Sequence, residues 1–260
     1  MEVTFEAIGL EINNENAYNS LVEDAGNKGE ISRLSRQSGV LHGRCWKLGN
    51  GLEVWTLIYE SESGEMFYAD CRAGFRAKYA QQINPWILTE FDEDGEAIVH
   101  GFIQDTTTEV LFQLQNLTEV GMSVFGQSVL KLGLCGLAYN AEVSSKKEFY
   151  WKTSDETVQN LAATESNEWY FSGQVLEFEK LKNPHTGNEL FWVYLNLGEF
   201  NLEILVNQRN FHGKELKIGS TLSGELWLQG HILAENIKLY EGIDFSNGTS
   251  DFWKHLRKRN

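Results

Sequence analysis

The stretch KLKNPHTGNELFWVYLNLGEF, residues 180–200, predicts how the last third of the chain folds. A polar knot, Asn183-Pro184-His185-Thr186-Gly187, separates two apolar runs with strand-like alternation. Asn183 and Pro184 favour a turn, and Gly187 can take the positive φ that closes it. The knot is therefore interpreted first as a hairpin connection. A binding role stays open for His185 and Thr186, because the loop after the first strand of an OB-like barrel borders the usual binding face.

Outward from this hairpin, residues 168–240 carry an all-β pattern. Glycines inside the strands, such as Gly173, Gly224 and Gly230, mark bulges or corners where a barrel bends. We therefore expect a small OB-like β-barrel. Its strands are WYFSGQVLEFEKL, ELFWVYLNL, FNLEILVN, STLSGELWLQGHIL and NIKLY.

Residues 1–83 predict a βαβββ module. The alternation of VTFEAIGLEI predicts a first strand, and Asn13 or Asn14 can cap a helix that follows it. Three further runs stand in hairpin order: SGVLHGRCWKL, LEVWTLIYE and EMFYADCRAGF.

The rest of the chain divides into a middle and a tail. Residues 84–153 predict a β-rich region, and one alternative is that it packs on the first module as a second half-module. Residues 154–167 predict a helical connector, and residues 241–260 predict a tail with a short helix. The fold class expected for the whole chain is α+β, mostly antiparallel β.

Some segments of the chain resemble other segments, but the number of residues that separates the matched segments, their phase, is not constant. GEAIVHGFI (95–103) aligns with GELWLQGHI (224–232), and TEVLFQLQNLTEV (108–120) aligns with NELFWVYLNLGEF (188–200). Because these phases differ, the matches cannot all come from one duplication.

Charge and cysteine usage exclude several classes of function. The formal net charge of −15 repels phosphate backbones, so we expect no nucleic-acid partner. The sequence shows no export signal and no apolar run long enough to span a membrane, which predicts a cytoplasmic protein without a membrane partner. Cys45, Cys71 and Cys135 are widely spaced, as is typical of reduced thiols rather than of disulfides or a zinc site.

The sequence contains no recognisable catalytic constellation. It has no nucleophile elbow, no phosphate loop and no dinucleotide fingerprint, and its histidines lack chelating spacing. We therefore expect no cofactor and favour a non-enzymatic binding module whose partner is a protein. A small-molecule ligand remains an alternative.

Eight tryptophans supply candidate recognition residues. Most of them are expected to fill cores, while at least one can form an exposed patch, because tryptophan is enriched at interfaces. The candidate binding residues are Trp55, Trp192, Trp227, His185, Thr186 and Arg209.

Two stretches resemble a widespread bacterial family of cytoplasmic proteins with no established activity. The first is EAIGLEINNENAYNSLVEDA with NGLEVWTLIY downstream of it. The second is SGQVLEFEKLKNPHTGNELFWVYLNL followed by GSTLSGELWLQGHIL. The resemblance covers the last third of the chain well, the first third moderately and the middle poorly.

The βαβββ order also resembles a module of the glyoxalase-like, vicinal-oxygen-chelate superfamily. Glu53 matches the position of that family's strand glutamate, and Glu6 lies in the predicted first strand. The resemblance implies a divalent metal site, and the alternative function is a metal-dependent or small-molecule enzyme with Glu6 and Glu53 as weak ligand candidates. A second alternative is oligosaccharide or single-strand binding by the OB-like barrel.

Overall fold

The computed structural model describes residues 2–91, 95–121, 124, 126–144, 147–153 and 166–233. Within these ranges the chain is β-rich, its strands pair mostly antiparallel and its helices are few, so the expected class is confirmed. No helix in the described part is long and apolar enough to cross a membrane. The predicted connector (154–167) lies almost entirely outside the described residues, and so do the NIKLY strand and the tail 241–260.

The described elements are three α-helices, fourteen strands and one short 3-10 helix (Gln208–Asn210) between two of the strands. The helices are α1 (Glu2–Ala7), α2 (Glu15–Lys28) and α3 (Leu117–Val120). The strands are β1 (Glu30–Arg36), β2 (Gly39–Gly49), β3 (Leu52–Ser61), β4 (Met66–Phe75), β5 (Gln81–Phe91), β6 (Glu96–Ile103), β7 (Glu109–Leu114), β8 (Leu130–Ser144), β9 (Tyr150–Thr153), β10 (Glu168–Lys182), β11 (Glu189–Asn196), β12 (Asn201–Asn207), β13 (Phe211–Gly213) and β14 (Thr221–Ile232).

An antiparallel meander, β1-β2-β3-β4, forms the first sheet, and α2 packs against β2 and β3. The predicted helix cap is confirmed, because Asn14 Oδ1 accepts a hydrogen bond of 2.9 Å from the Ala17 amide. The three predicted hairpin strands are β2, β3 and β4. Strand β1 was not predicted, because this edge strand has a largely polar sequence.

The predicted first strand is wrong. Residues 2–7 form helix α1, and the chain then turns at Gly9, whose φ is +81°. Phe5, Ala7 and Ile8 are all fully buried, so this segment is enclosed on several sides. Burial on several sides removes the one-sided pattern that distinguishes a short helix from a strand. The N-terminal order is therefore ααββββ rather than βαβββ.

The other described strands form a single sheet that closes on itself twice. A first ring runs β5-β6-β7-β14-β8 and returns to β5. A second ring runs β10-β11-β12-β8-β14 and returns to β10. Strands β8 and β14 belong to both rings, so the two barrels share their central antiparallel pair.

The two rings have the same internal design. In each ring the third strand pairs parallel with the strand that follows it around the ring, which we call the closing strand: β7 pairs with β14, and β12 pairs with β8. All other pairs within the rings are antiparallel. The bulges also correspond: one lies between Pro85 and Ile87 in β5, the other between Val175 and Glu177 in β10. The barrels are therefore related as two copies of one unit that exchange their final strands.

Apolar side chains from both rings fill one continuous core. Val99 and Phe112 contribute to it from the first ring, and Val193 and Ile204 from the second. A second cluster joins α1, α2 and the first sheet to the outer surface of the second ring, where Trp192 and Leu205 are fully buried. The predicted barrel of residues 168–240 thus receives its closing strand, β8, from the region assigned to the middle.

Candidate functional site

A groove of about 490 Å³ opens between the two barrels and the short strand β9. We call it the aromatic groove. Two loops line one side, and β9 with the start of β10 lines the other. Its residues are Thr107, Thr108, Glu109, Phe149, Tyr150, Trp151, Lys152, Thr153, Trp169, Leu197, Glu199 and Phe200.

Two stacked indoles form the wall of the groove. The Trp151 and Trp169 rings are nearly parallel, with 4.3 Å between their centres, and Phe200 meets Trp151 edge-on at 5.3 Å. Each indole donates its N–H to a backbone carbonyl of β7, Trp151 to Glu109 at 3.1 Å and Trp169 to Leu111 at 3.0 Å. These bonds fix both rings, so the half-buried Trp151, backed by the almost fully buried Trp169, presents a rigid aromatic surface.

Carboxylates and hydroxyl groups stand around this wall. Glu199 accepts a hydrogen bond from the Thr108 hydroxyl, and Glu109 Oε2 lies 3.3 Å from His100 Nε2. Lys152 Nζ lies 5.8 Å from the centre of the Tyr150 ring. Aromatic faces beside carboxylates suit ligands with cationic groups, and aromatic faces beside hydroxyls suit sugar rings.

An exposed tryptophan adjoins the groove. Trp86, the bulge residue of β5, is 61% exposed. Its ring packs 5.3 Å from that of His100 and 5.9 Å from that of Phe102. Phe102 pairs with the groove residue Glu109 in the β6–β7 ladder. An exposed indole is therefore present, at a tryptophan that was not among the candidates.

None of the three candidate tryptophans lines the groove. Trp55 and Trp192 are fully buried, and their indole N–H groups donate to Glu53 at 3.0 Å and Glu203 at 2.7 Å. Trp227 is half-buried and borders a separate cavity of about 130 Å³, which is also lined by Arg72 and Glu96.

The knot of residues 183–187 holds the N-terminal segment. Asn183 Oδ1 accepts from the amides of His185 and Thr186 at 2.8 and 3.1 Å, while its Nδ2 donates to the Ile8 carbonyl at 2.7 Å. The Thr186 hydroxyl donates to the Gly9 carbonyl at 2.8 Å. The hairpin connection between β10 and β11 thus has a second role, since it fastens the turn after α1 to the second ring.

The two remaining candidate binding residues also make contacts within the chain. The His185 ring meets Trp46 edge-on, with 5.0 Å between the ring centres. The exposed Arg209 side chain forms an ion pair of 2.6 Å with Glu11.

The carboxylate of Glu53 lies in a buried polar cluster. One oxygen accepts from Arg76 Nε and the other from the Trp55 indole, and Arg76 also binds Glu119. Burial raises the pKa of Glu53, although Arg76 opposes this. Burial lowers the pKa of Arg76, but the two carboxylates raise it by more.

Glu6, the other metal-ligand candidate, is half-buried at the end of α1, where its backbone carbonyl accepts from Asn207. Among the residues that the structure describes, no three His, Cys, Asp or Glu side chains come together in a way that could hold a metal ion.

The signal for the groove was present in the sequence as two aromatic runs, FYWK (149–152) and EWYF (168–171). Their meeting depends on the antiparallel β9–β10 ladder, which pairs Trp151 with Phe171 and so brings Trp169 diagonally opposite Trp151. The spacing along the chain did not reveal this pairing.

Comparison with known proteins bears on the last third of the chain. No curated protein and no solved structure matches the chain. A family model matches residues 161–230. This range contains β10, β11 and β12 and most of β14, whereas strand β8, which closes the second ring, lies outside it. The model is described as "Domain of unknown function, E. rectale Gene description (DUF3881)", so the predicted resemblance to a family without established activity is confirmed for this range.

Proposed function

We propose that this protein is a non-enzymatic binding module whose aromatic groove receives a cationic segment of a partner protein. The observation that carries the proposal is the fixed Trp151–Trp169 wall beside the carboxylates of Glu109 and Glu199. A lysine or arginine side chain can stack its apolar stem on the indole and direct its charge to a carboxylate.

Charge supports a cationic occupant. The formal net charge of −15 attracts basic partners over a distance and repels acidic ones. Trp86 extends the aromatic surface beyond the groove, and exposed tryptophans are frequent anchors of protein interfaces.

The strand order of the two rings supports an OB-like interpretation of both barrels. A five-stranded OB barrel is a partly open Greek-key barrel that binds ligands on the face of its second and third strands and on adjoining loops. The aromatic groove includes the loops between the second and third strands of both rings, residues 104–108 and 197–200. These loops adjoin the second and third strands, but OB barrels usually bind through the loops between strands 1 and 2 and between strands 4 and 5, so support for the groove comes from its own aromatic and acidic residues.

A direct binding measurement tests the proposal. An array of short peptides of varied charge is probed with the purified protein, and hits are titrated by calorimetry against the wild type and the variants Trp151→Ala and Glu109→Gln/Glu199→Gln. We expect lysine- or arginine-containing peptides to bind the wild type, and the affinity to fall at least tenfold in both variants and with added salt.

Trp46→Ala is the matched control, since it removes a partly buried indole of β2 that packs on His185, outside both the groove and its extension at Trp86. It should weaken binding less than Trp151→Ala does. Peptides that bind the wild type and Trp151→Ala equally well would contradict the proposal. An oligosaccharide array probed in parallel tests the sugar-binding alternative, in which affinity would depend on Trp151 but not on salt.

A further inference from the structure

A short segment of the chain itself covers the outer face of the second ring. Lys78 and Tyr79, in the irregular connection between β4 and β5, lie across β10, β11 and β12. We call the surface beneath them the covered face. It consists of Glu177, Glu179, Trp192, Tyr194 and Glu203.

The covered face contacts both the backbone and the side chains of this dipeptide. Glu203 accepts the amide protons of Lys78 at 2.9 Å and Tyr79 at 2.6 Å. The Tyr79 ring stacks on Tyr194 with 4.3 Å between centres, and its hydroxyl donates to Glu177 at 2.8 Å.

Lys78 is bound as specifically as Tyr79. Its ammonium lies 3.8 Å from the centre of the Trp192 ring and 2.8 Å from Glu179 Oε2. A cation is thus held between an aromatic face and a carboxylate.

The equivalent face of the first ring lacks these groups. In the second ring Tyr194 pairs with Glu177 on one side and Glu203 on the other. In the first ring the corresponding His100 pairs with Ile87 and Leu111. The barrel design therefore does not require a carboxylate on either side of the central aromatic residue, and the covered face is a separate feature of the second ring.

The contact is accessible to a competitor. Tyr79 is 40% exposed, Glu177 and Glu179 are exposed, and the connection that carries the dipeptide has no regular secondary structure. Segments with these properties open at lower free energy than the strands beneath them.

We propose that the covered face is a peptide-binding site held closed by Lys78–Tyr79. Its occupant is an extended segment of a partner protein in which a lysine precedes an aromatic residue. The partner's two amides replace those of Lys78 and Tyr79 on Glu203, its ring replaces Tyr79 on Tyr194, and its ammonium replaces that of Lys78 between Trp192 and Glu179. This proposal does not depend on the aromatic groove.

The test supplies the chain's own segment in trans. The probe is a fluorescein-labelled peptide, Gly-Phe-Arg-Ala-Lys-Tyr-Ala-Gln-Gln, with the sequence of residues 74–82. It is titrated against the wild type and against Lys78→Ala/Tyr79→Ala by fluorescence anisotropy. We expect binding at least tenfold tighter to the double variant, because closure in cis lowers the apparent affinity by the open fraction. Adding Glu177→Gln/Glu179→Gln to the double variant should weaken binding several-fold.

The control peptide carries alanine in place of the Lys-Tyr pair, and it should not bind. Equal affinity of the probe for wild type and double variant, or equal binding of the control peptide, would overturn the proposal.

Hydrogen–deuterium exchange on the wild type gives an answer that does not depend on the folding of a variant. Saturating unlabelled peptide should accelerate exchange of the Lys78 and Tyr79 amides, and unchanged exchange at these two amides would also overturn the proposal.

Discussion

The Nη2 atom of Arg76 donates to both carboxylate oxygens of Glu119, at 2.8 and 3.0 Å. Glu119 belongs to α3 and is almost fully buried, as is Glu53, the second carboxylate that Arg76 binds. Arg76 follows the last strand of the first sheet, so this one side chain links the sheet to the first ring through charge.

Replacing Arg76 by methionine should therefore destabilise the protein strongly. Two buried carboxylates would lose their cation, and breaking a buried ion pair from one side costs about 3–5 kcal/mol. Urea unfolding measures the loss. Lys47→Met is the control, because the Lys47–Glu30 pair is exposed and should contribute about 1 kcal/mol or less. Equal losses in the two variants would show that the Arg76 cluster carries no special stability.

Asn183→Ala should loosen the N-terminal segment. The Asn183 side chain makes three hydrogen bonds, and its loss leaves the carbonyl of the fully buried Ile8 without this partner. We expect a destabilisation of about 2–4 kcal/mol, with faster amide exchange in α1. Asn196→Ala, which removes one turn hydrogen bond to the Gly198 amide, should cost about 1 kcal/mol and leave α1 unaffected. Unchanged exchange in α1 in both variants would argue against the fastening role.

Gly187→Val tests the turn conformation alone. Gly187 has φ of +77°, and a Cβ at this position would meet no atom within 4 Å. The cost is therefore backbone strain, about 1–2 kcal/mol, and the melting temperature should fall by several degrees. Gly187→Asn should cost less, because asparagine tolerates the left-handed region. A melting temperature that valine leaves unchanged would contradict the positive φ.

His231 should make stability depend on pH. Burial, with a smaller contribution from Arg76, lowers its pKa in the folded protein from 6.5 to about 4. Between these values the unfolded chain binds a proton that the folded chain does not, so stability decreases as the pH falls from 6.5 to about 4. The full effect is about 3 kcal/mol. In His231→Phe the free energy of unfolding should decrease less over this range, whereas parallel pH profiles would contradict the assignment.

The local pattern of apolar and polar residues was sufficient to predict most strands and the N-cap of α2, but it did not predict α1. Asn14 caps α2 through a contact three residues away, and such short-range chemistry is visible in the sequence. Phe5 in α1 and Ile8 just after it contact elements distant in sequence, and their burial on several sides hides the helical period. Tertiary packing decided this element.

The structural correspondence of the two rings was not predicted from the sequence, because few of the equivalent residues in β6 and β11 agree. Val99 and Val193 are identical, but their neighbours Ile98 and Trp192 differ in size, and His100 and Tyr194 differ in chemistry. The apparent sequence matches placed β6 over β14 and β7 over β11, whereas the ladders equate β6 with β11 and β7 with β12. Similar strand chemistry produced these misplaced matches.

The candidate site was the least predictable part. Trp192 is fully buried beneath Lys78, a residue distant in sequence, so the sequence could not show what covers this candidate. Trp151 and Trp169 meet only through the β9–β10 register. Chemistry assembled by long-range pairing cannot be derived from spacing along the chain.

The exchange of β8 and β14 makes the two barrels inseparable. Residues 81–144 contain four strands of the first barrel, and the last of them, β8, also closes the second barrel by pairing with β12. In the same way, residues 168–232 contain four strands of the second barrel, and their last strand, β14, closes the first barrel by pairing with β7. Neither fragment can bury its core alone, so the barrels should melt in one cooperative transition despite their number. Two fragments expressed separately and mixed should recover the fold by complementation, as the halves of an intertwined dimer do.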